Sequence, residues 1–174
     1  KYYSEPWSPP NQSIETQYKA SLLKYKLYTD ALTEVFKFVK EYAQKNNFQV
    51  GCYVPTHSLI NYAQWRIVSP ESQLTKIEHC DGIIAQVWTG TARSKHHYQG
   101  ISRERTFETA YLEYAQMVGM VLPAQKHLIF LADPIEDNPN YDWHDYKYNY
   151  ECTVLASLFF PEVSTFEVMP WPER

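Results

Sequence analysis

Asp81-Gly82-Ile83-Ile84-Ala85-Gln86-Val87-Trp88-Thr89-Gly90 decides how the chain is read. A short, continuous apolar run, entered through Asp-Gly and left through Thr-Gly, has the length and punctuation of a buried strand. Three further runs share that character. Phe48 to Val54 is closed by Pro55, His127 to Ala132 is stopped by Asp133-Pro134, and Thr165 to Met169 leads into Pro170-Trp171-Pro172.

Helical patterns fill the intervals. From Glu15 to Lys45, Ser21, Tyr25, Tyr28, Leu32, Val35, Val39 and Tyr42 recur at three- and four-residue steps and predict one buried stripe. Ser58 to Arg66 reads as a short helix, and Ser69-Pro70-Glu71 starts another, with proline in the first turn. Phe107, Ala110, Tyr111, Tyr114, Val118 and Val121 mark an amphipathic helix. Asp142 caps the last one, whose predicted buried side is Tyr146, Tyr150, Val154 and Leu158. The polar segment from Thr91 to Arg105 reads as a long exposed loop, and Pro6, Pro9 and Pro10 keep the opening residues out of regular helix.

With a helix between each pair of strands, only parallel pairing through right-handed crossovers is open to the sheet. The class is therefore α/β, and both a doubly wound sheet and a (β/α)8 barrel fit the alternation. Four strands are too few for either. A complete barrel takes about 250 residues, so a single domain over 1–174 with four parallel βα units reads as a partial TIM barrel. Such a piece leaves two open sheet edges and an uncovered inner face, which invite association.

Composition narrows the function. Hydrophobic residues make up 44% and charged residues 21%, the balance of a globular chain. Sixteen Lys and Arg against twenty Asp and Glu give a net charge of −4, which argues against a nucleic-acid partner. No apolar run approaches the roughly 18 residues of a membrane span. Cys52, Cys80 and Cys152 have no CxxC spacing, so they read as buried free thiols, fitting a reducing compartment, and not as a disulfide or zinc framework. With five glycines and no GxGxxG, GxxxxGK[ST], HExxH or GxSxG, nucleotide, zinc-protease and serine-hydrolase chemistries lack their motifs, and no cofactor is expected. His96-His97 are neighbours whose side chains point apart, and they read as solvated loop residues, not metal ligands.

In parallel α/β folds ligands bind at the C-terminal ends of the strands. That rule selects Tyr53 and His57 after the first strand, and Gln86, Trp88 and Thr89 at the end of the second. It selects Asp133 and Glu136 after the third, and Trp171 and Glu173 after the fourth. Tryptophans and polar groups emerging from apolar strands suit a carbohydrate, whose rings stack on aromatic faces while the hydroxyls bond to carboxylate, amide and imidazole. Each residue also has a plainer reading. His57 can cap a helix, Trp88 can be core, and Asp133 and Asp142 can form turns beside prolines.

Four runs carry a family resemblance: Tyr53-Val54-Pro55-Thr56-His57-Ser58, Asp81 to Gly90, Phe130-Leu131-Ala132-Asp133-Pro134, and Val168-Met169-Pro170-Trp171-Pro172-Glu173. They resemble a thinly characterised group of bacterial glycoside hydrolases related to the clan-A retaining enzymes, which include the β-galactosidases. The resemblance implies that the four strands are the last four of the barrel. Retaining enzymes use two carboxylates about 5 to 5.5 Å apart, an acid/base and a nucleophile. By the resemblance the nucleophile follows the seventh strand, at Asp133, where the clan uses Glu; Glu136 is the nearest Glu. The acid/base would lie in the part of the barrel before Lys1, and Trp171 would form the platform beneath the sugar. The expectation is hydrolysis of O-glycosidic bonds, with a non-catalytic carbohydrate-binding relative as the alternative.

Overall fold

β2 (Gly82–Trp88) is the second of four parallel strands. In the computed structural model, which describes residues 12–64, 71–134 and 140–168, it pairs on one side with β1 (Tyr53–His57). On the other side it pairs with β5 (His127–Asp133), and β6 (Thr165–Val168) lies beyond. The order β1-β2-β5-β6 follows the chain, unlike the order of a doubly wound sheet. Among the described residues β1 and β6 each have one neighbour, so the sheet they form is open and closes no barrel.

α1 (Ile14–Lys45) precedes β1, and between the strands lie α2 (Leu59–Gln64), α3 (Glu71–Leu74), α4 (Thr89–Ala92), α5 (Thr106–Val121) and α6 (Trp143–Ser157). Side chains alternate across a strand, and the register assigns each residue to a face. Val54, Ile83 and Leu128 form one row, and Ala85 and Phe130 another. This face shares a single core with Phe36 of α1, Leu74 of α3, Ala92 of α4, Tyr114 and Met117 of α5, and Ala156 of α6. The second face carries rows Pro55–Ile84–Ile129–Thr165, His57–Gln86–Leu131–Glu167 and Trp88–Asp133. Most of these residues are half-buried, and Pro55 and Glu167 are exposed. The helices thus gather on one face and leave the other partly open.

The first strand and the Thr91–Arg105 segment differ from the sequence reading. β1 begins at Tyr53, not Phe48, and Pro55 lies inside it. An edge strand tolerates proline because the missing N–H need not face a neighbour. The expected loop from Thr91 to Arg105 contains α4 and an antiparallel hairpin of β3 (Lys95–Tyr98) and β4 (Ile101–Glu104). Its turn places Gln99 at φ 49° and Gly100 at φ 76°, the doubly left-handed turn that suits a two-residue hairpin. All eight strand residues are exposed, so no alternation of apolar residues revealed it.

The buried stripe of α1 is also rotated from the one expected. Ser21, Phe36 and Ala43 are buried and Leu32 and Val39 pack against the core, whereas Tyr28, Val35 and Tyr42 are exposed. On α6 the Asp142 cap is as read, its carboxylate accepting from the Asp145 amide at 3.0 Å. Leu158 is exposed, however, and the buried side takes in Asn149, Thr153 and Ser157. Those polar residues are satisfied: Thr153 and Ser157 hydroxyls donate to carbonyls one turn back, and Asn149 accepts from Thr106 of α5 at 2.6 Å.

Candidate functional site

At the C-terminal end of the sheet, β1, β2 and β5 deliver His57, Gln86, Trp88 and Asp133 onto the same face. Asp133 is the last residue of its strand and 4% exposed. Its Oδ2 accepts from Gln86 Nε2 at 2.7 Å, and its backbone carbonyl accepts from the Thr89 hydroxyl at 2.7 Å. Side chain and backbone are therefore both anchored to β2 and the turn that follows it.

His57 is held from the other side. Thr91 Oγ1 donates its one proton to the Trp88 carbonyl at 2.9 Å, so it must accept from Asn61 Nδ2, 3.0 Å away. That fixes the amide orientation of Asn61. The same Nδ2 lies 3.0 Å from His57 Nδ1, which accordingly accepts, leaving the imidazole proton on Nε2. Burial pushes the His57 pKa down, against the opposing pull of the Asp133 carboxylate and a hydrogen bond to the Gln86 carbonyl. His57 is thus a neutral imidazole wired into the strand ends, suited to donate or to position and poorly suited to take up a proton.

Trp88 ends β2, and its indole lies against Gly90. A Cβ at position 90 would stand 3.0 Å from Trp88 Cε2 and 3.1 Å from Nε1, so the glycine supplies the room the ring occupies. Tyr150 of α6 approaches the same region, its pKa raised by burial and by the negative charge of Asp133.

Tyr53 does not join this group. As the first residue of β1 it sits at the opposite end of the sheet, its hydroxyl 3.0 Å from His127 Nδ1. Misplacing β1 by five residues had moved it to the wrong rim. Glu136, Trp171 and Glu173 lie outside the described residues. Sequence reading missed Asn61, Thr91 and Tyr150, whose roles depend on which helix face meets the strand ends. It also missed Glu167, a carboxylate on the same face as Asp133, paired in register with Leu131. That one was legible, since β6 alternates and Glu167 occupies the phase opposite Phe166.

Among the described residues no group of three His, Cys, Asp or Glu comes close enough to hold a metal ion. No helix there is long and apolar enough to cross a membrane. A surface groove of about 620 Å³ lies elsewhere, between α1 and Gln73–Glu78, walled by Lys26, Asp30, Lys76 and Glu78. The Gln86–Asp133 pair, by contrast, sits where parallel sheets bind ligands. Comparison with protein-family models, with characterised proteins and with solved structures gives no match.

Proposed function

We propose that the chain forms the last four βα units of a (β/α)8 barrel whose strand ends bind carbohydrate, and that the assembled barrel hydrolyses O-glycosidic bonds with retention. The observation that supports this most directly is the Asp133 carboxylate, presented at the C-terminal end of a parallel strand on the face turned away from the helices. Three features are those expected of a barrel segment: strands in chain order, helices on one side, and the half-buried pair Ile84 and Ile129 on the other.

In this reading Asp133 attacks the anomeric carbon and expels the leaving-group oxygen, which the acid/base on the remaining strands protonates. The Gln86 amide, bonded to Oδ2, orients the carboxylate. Trp88 offers an apolar face to the sugar, and the neutral His57 keeps the strand ends in place.

A specific observation favours the binding-only alternative. Asp133 is nearly buried, and the ring and amide around it are tied into internal hydrogen bonds. The test is Asp133→Asn in the assembled barrel. Loss of aryl-glycoside turnover with sugar affinity kept within about threefold supports a nucleophile, a charge-for-amide change that preserves shape. Turnover retained there but lost in Glu136→Gln moves the role to Glu136. Turnover retained in both removes this loop from the chemistry.

A further inference from the structure

The open face of the sheet changes character along the strands. The row of Pro55, Ile84 and Ile129 is apolar. One pleat period closer to the strand ends, the next row carries His57, Gln86 and Glu167, with Leu131 between the last two. Trp88 and Asp133 stand beyond it. An apolar base under a layer of polar groups, beside an aromatic ring, has the make-up of a ligand pocket, where a few polar groups fix the orientation of what binds.

These polar groups differ in what they bond. Gln86 donates to Asp133, and His57 lies against Asn61. Glu167 is exposed and makes no hydrogen bond or ion pair among the described residues, and its neighbour on β5 is the apolar Leu131. Neighbouring strands lie about 4.8 Å apart and alternate residues about 6.6 Å, which sets the Cα atoms of Glu167 and Asp133 about 8 Å apart. Asp133 bonds Gln86 on β2, the side away from β6, so the space over Leu131 separates the two carboxylates. In the barrel proposed above, the remaining strands close over this face, and a carboxylate enclosed without a donor is strongly disfavoured. Glu167 then needs a donor that these four strands do not supply, since none of them contains a lysine or arginine.

We propose that Glu167 binds sugar hydroxyls on the floor of this site and restricts it to neutral sugars, excluding uronic acids and other anionic ones. The inference rests on the carbohydrate reading above and adds the substrate class to it. The two carboxylate oxygens accept from neighbouring hydroxyls of one ring, in charge-assisted bonds stronger than those between neutral groups. A ligand that lacks those hydroxyls leaves the carboxylate unpaired, which is how a site built on hydrogen bonds discriminates. A sugar acid brings its own carboxylate toward Glu167 and Asp133, and the strands offer no guanidinium or ammonium to receive it.

Titration calorimetry of the assembled barrel tests this, with the methyl glycosides of glucose, galactose and mannose and of the uronic acid of each. The best neutral glycoside should bind roughly tenfold or more tighter than its uronide. Glu167→Gln should weaken the neutral glycoside by roughly tenfold and narrow that ratio. Glu167→Lys should narrow or reverse it, because a cation then faces the uronide carboxylate. This pattern without any glycoside turnover supports the inference while the hydrolytic reading fails. Neutral-sugar affinity unchanged in Glu167→Gln overturns the inference alone. So does a wild type that prefers the uronide. A lower thermal midpoint in Glu167→Gln with the wild-type ratio kept places the side chain in an ion pair with the remaining strands, and also overturns it. A wild type that binds none of the glycosides overturns it together with the carbohydrate reading.

Discussion

Glu113 sits on the buried side of α5 with no exposed surface, and neither carboxylate oxygen has a hydrogen-bond partner among the described residues. Burial pushes its pKa up to about 8, and beside it the equally buried Tyr114 hydroxyl is also unpartnered. The folded protein therefore holds a proton that the unfolded chain releases near 4.5. Between those values the unfolded state binds fewer protons, so stability falls as pH rises and levels off above about 8. At about 1.4 kcal/mol per pH unit the loss between pH 5 and 7 is about 3 kcal/mol. Glu113→Gln should flatten this slope and stabilise the protein at pH 7 by about 2 kcal/mol, read by urea unfolding. His57 acts in the opposite sense. Its lowered pKa means that the unfolded chain takes up the proton first as pH drops below 6.5, and stability falls with acidification. His57→Gln should remove that acid arm and leave the slope between pH 6.5 and 8 unchanged. A wild-type profile flat over that neutral window would mean that Glu113 has a partner after all.

At the scale of elements, two glycines behave oppositely. A Cβ on Gly82, at the start of β2, would stand 2.4 Å from the His127 carbonyl oxygen and 2.6 Å from the Tyr53 ring. Gly82→Ala must push β5 or Tyr53 away and should cost about 2 kcal/mol or more. Gly119 in α5 has nothing within 4 Å of the added atom, and Gly119→Ala should stabilise by about 0.5–1 kcal/mol through helix propensity. Thermal unfolding of the two variants separates these signs. The hairpin β3–β4 has a different dependence. With its residues exposed, it is held through Arg93, whose 4%-exposed side chain bonds the Asp145 carboxylate at the start of α6 and Glu104 Oε2 at 3.1 Å. The guanidinium also lies 3.6 Å from the Tyr141 ring centroid. Arg93→Met leaves two half-buried carboxylates without their cation and should cost about 2–4 kcal/mol. Hydrogen exchange should then accelerate at Lys95–Glu104 before it does in β2, because the hairpin touches the body through few other groups.

At the scale of the molecule, the two sheet faces make unlike demands. Ile83 is fully buried against the helices, whereas its neighbour Ile84 is half-buried on the open face. Ile83→Asn should cost about 3 kcal/mol or more, since it buries an amide without partners. Ile84→Asn in the same chain should cost under about 1 kcal/mol. Equal costs, measured by urea unfolding, would mean that both faces are covered.

The sequence by itself determined the parallel α/β sheet. Each apolar strand run was bounded by Gly, Pro or Asp, and helix-length segments separated the runs, so the crossovers admitted no other pairing. It also placed Gln86, Trp88 and Asp133 at the strand ends, because the turn residues stop those strands just there. It mislaid Tyr53, because Pro55 reads locally as a terminator and only the edge position of β1 makes it harmless inside the strand. The hairpin of Lys95–Glu104 escaped because exposed strands carry no apolar alternation. Tyr28, Val35 and Tyr42 of α1 were counted in its buried stripe, since periodicity counts apolar residues without saying which neighbour each meets. Tertiary structure alone decided that Asn61 and Thr91 fix the tautomer of His57, and that Glu113 is sealed with no hydrogen-bond partner among the described residues. Each of these depends on a contact between residues far apart in sequence, set by how elements pack and not by any residue's local preference.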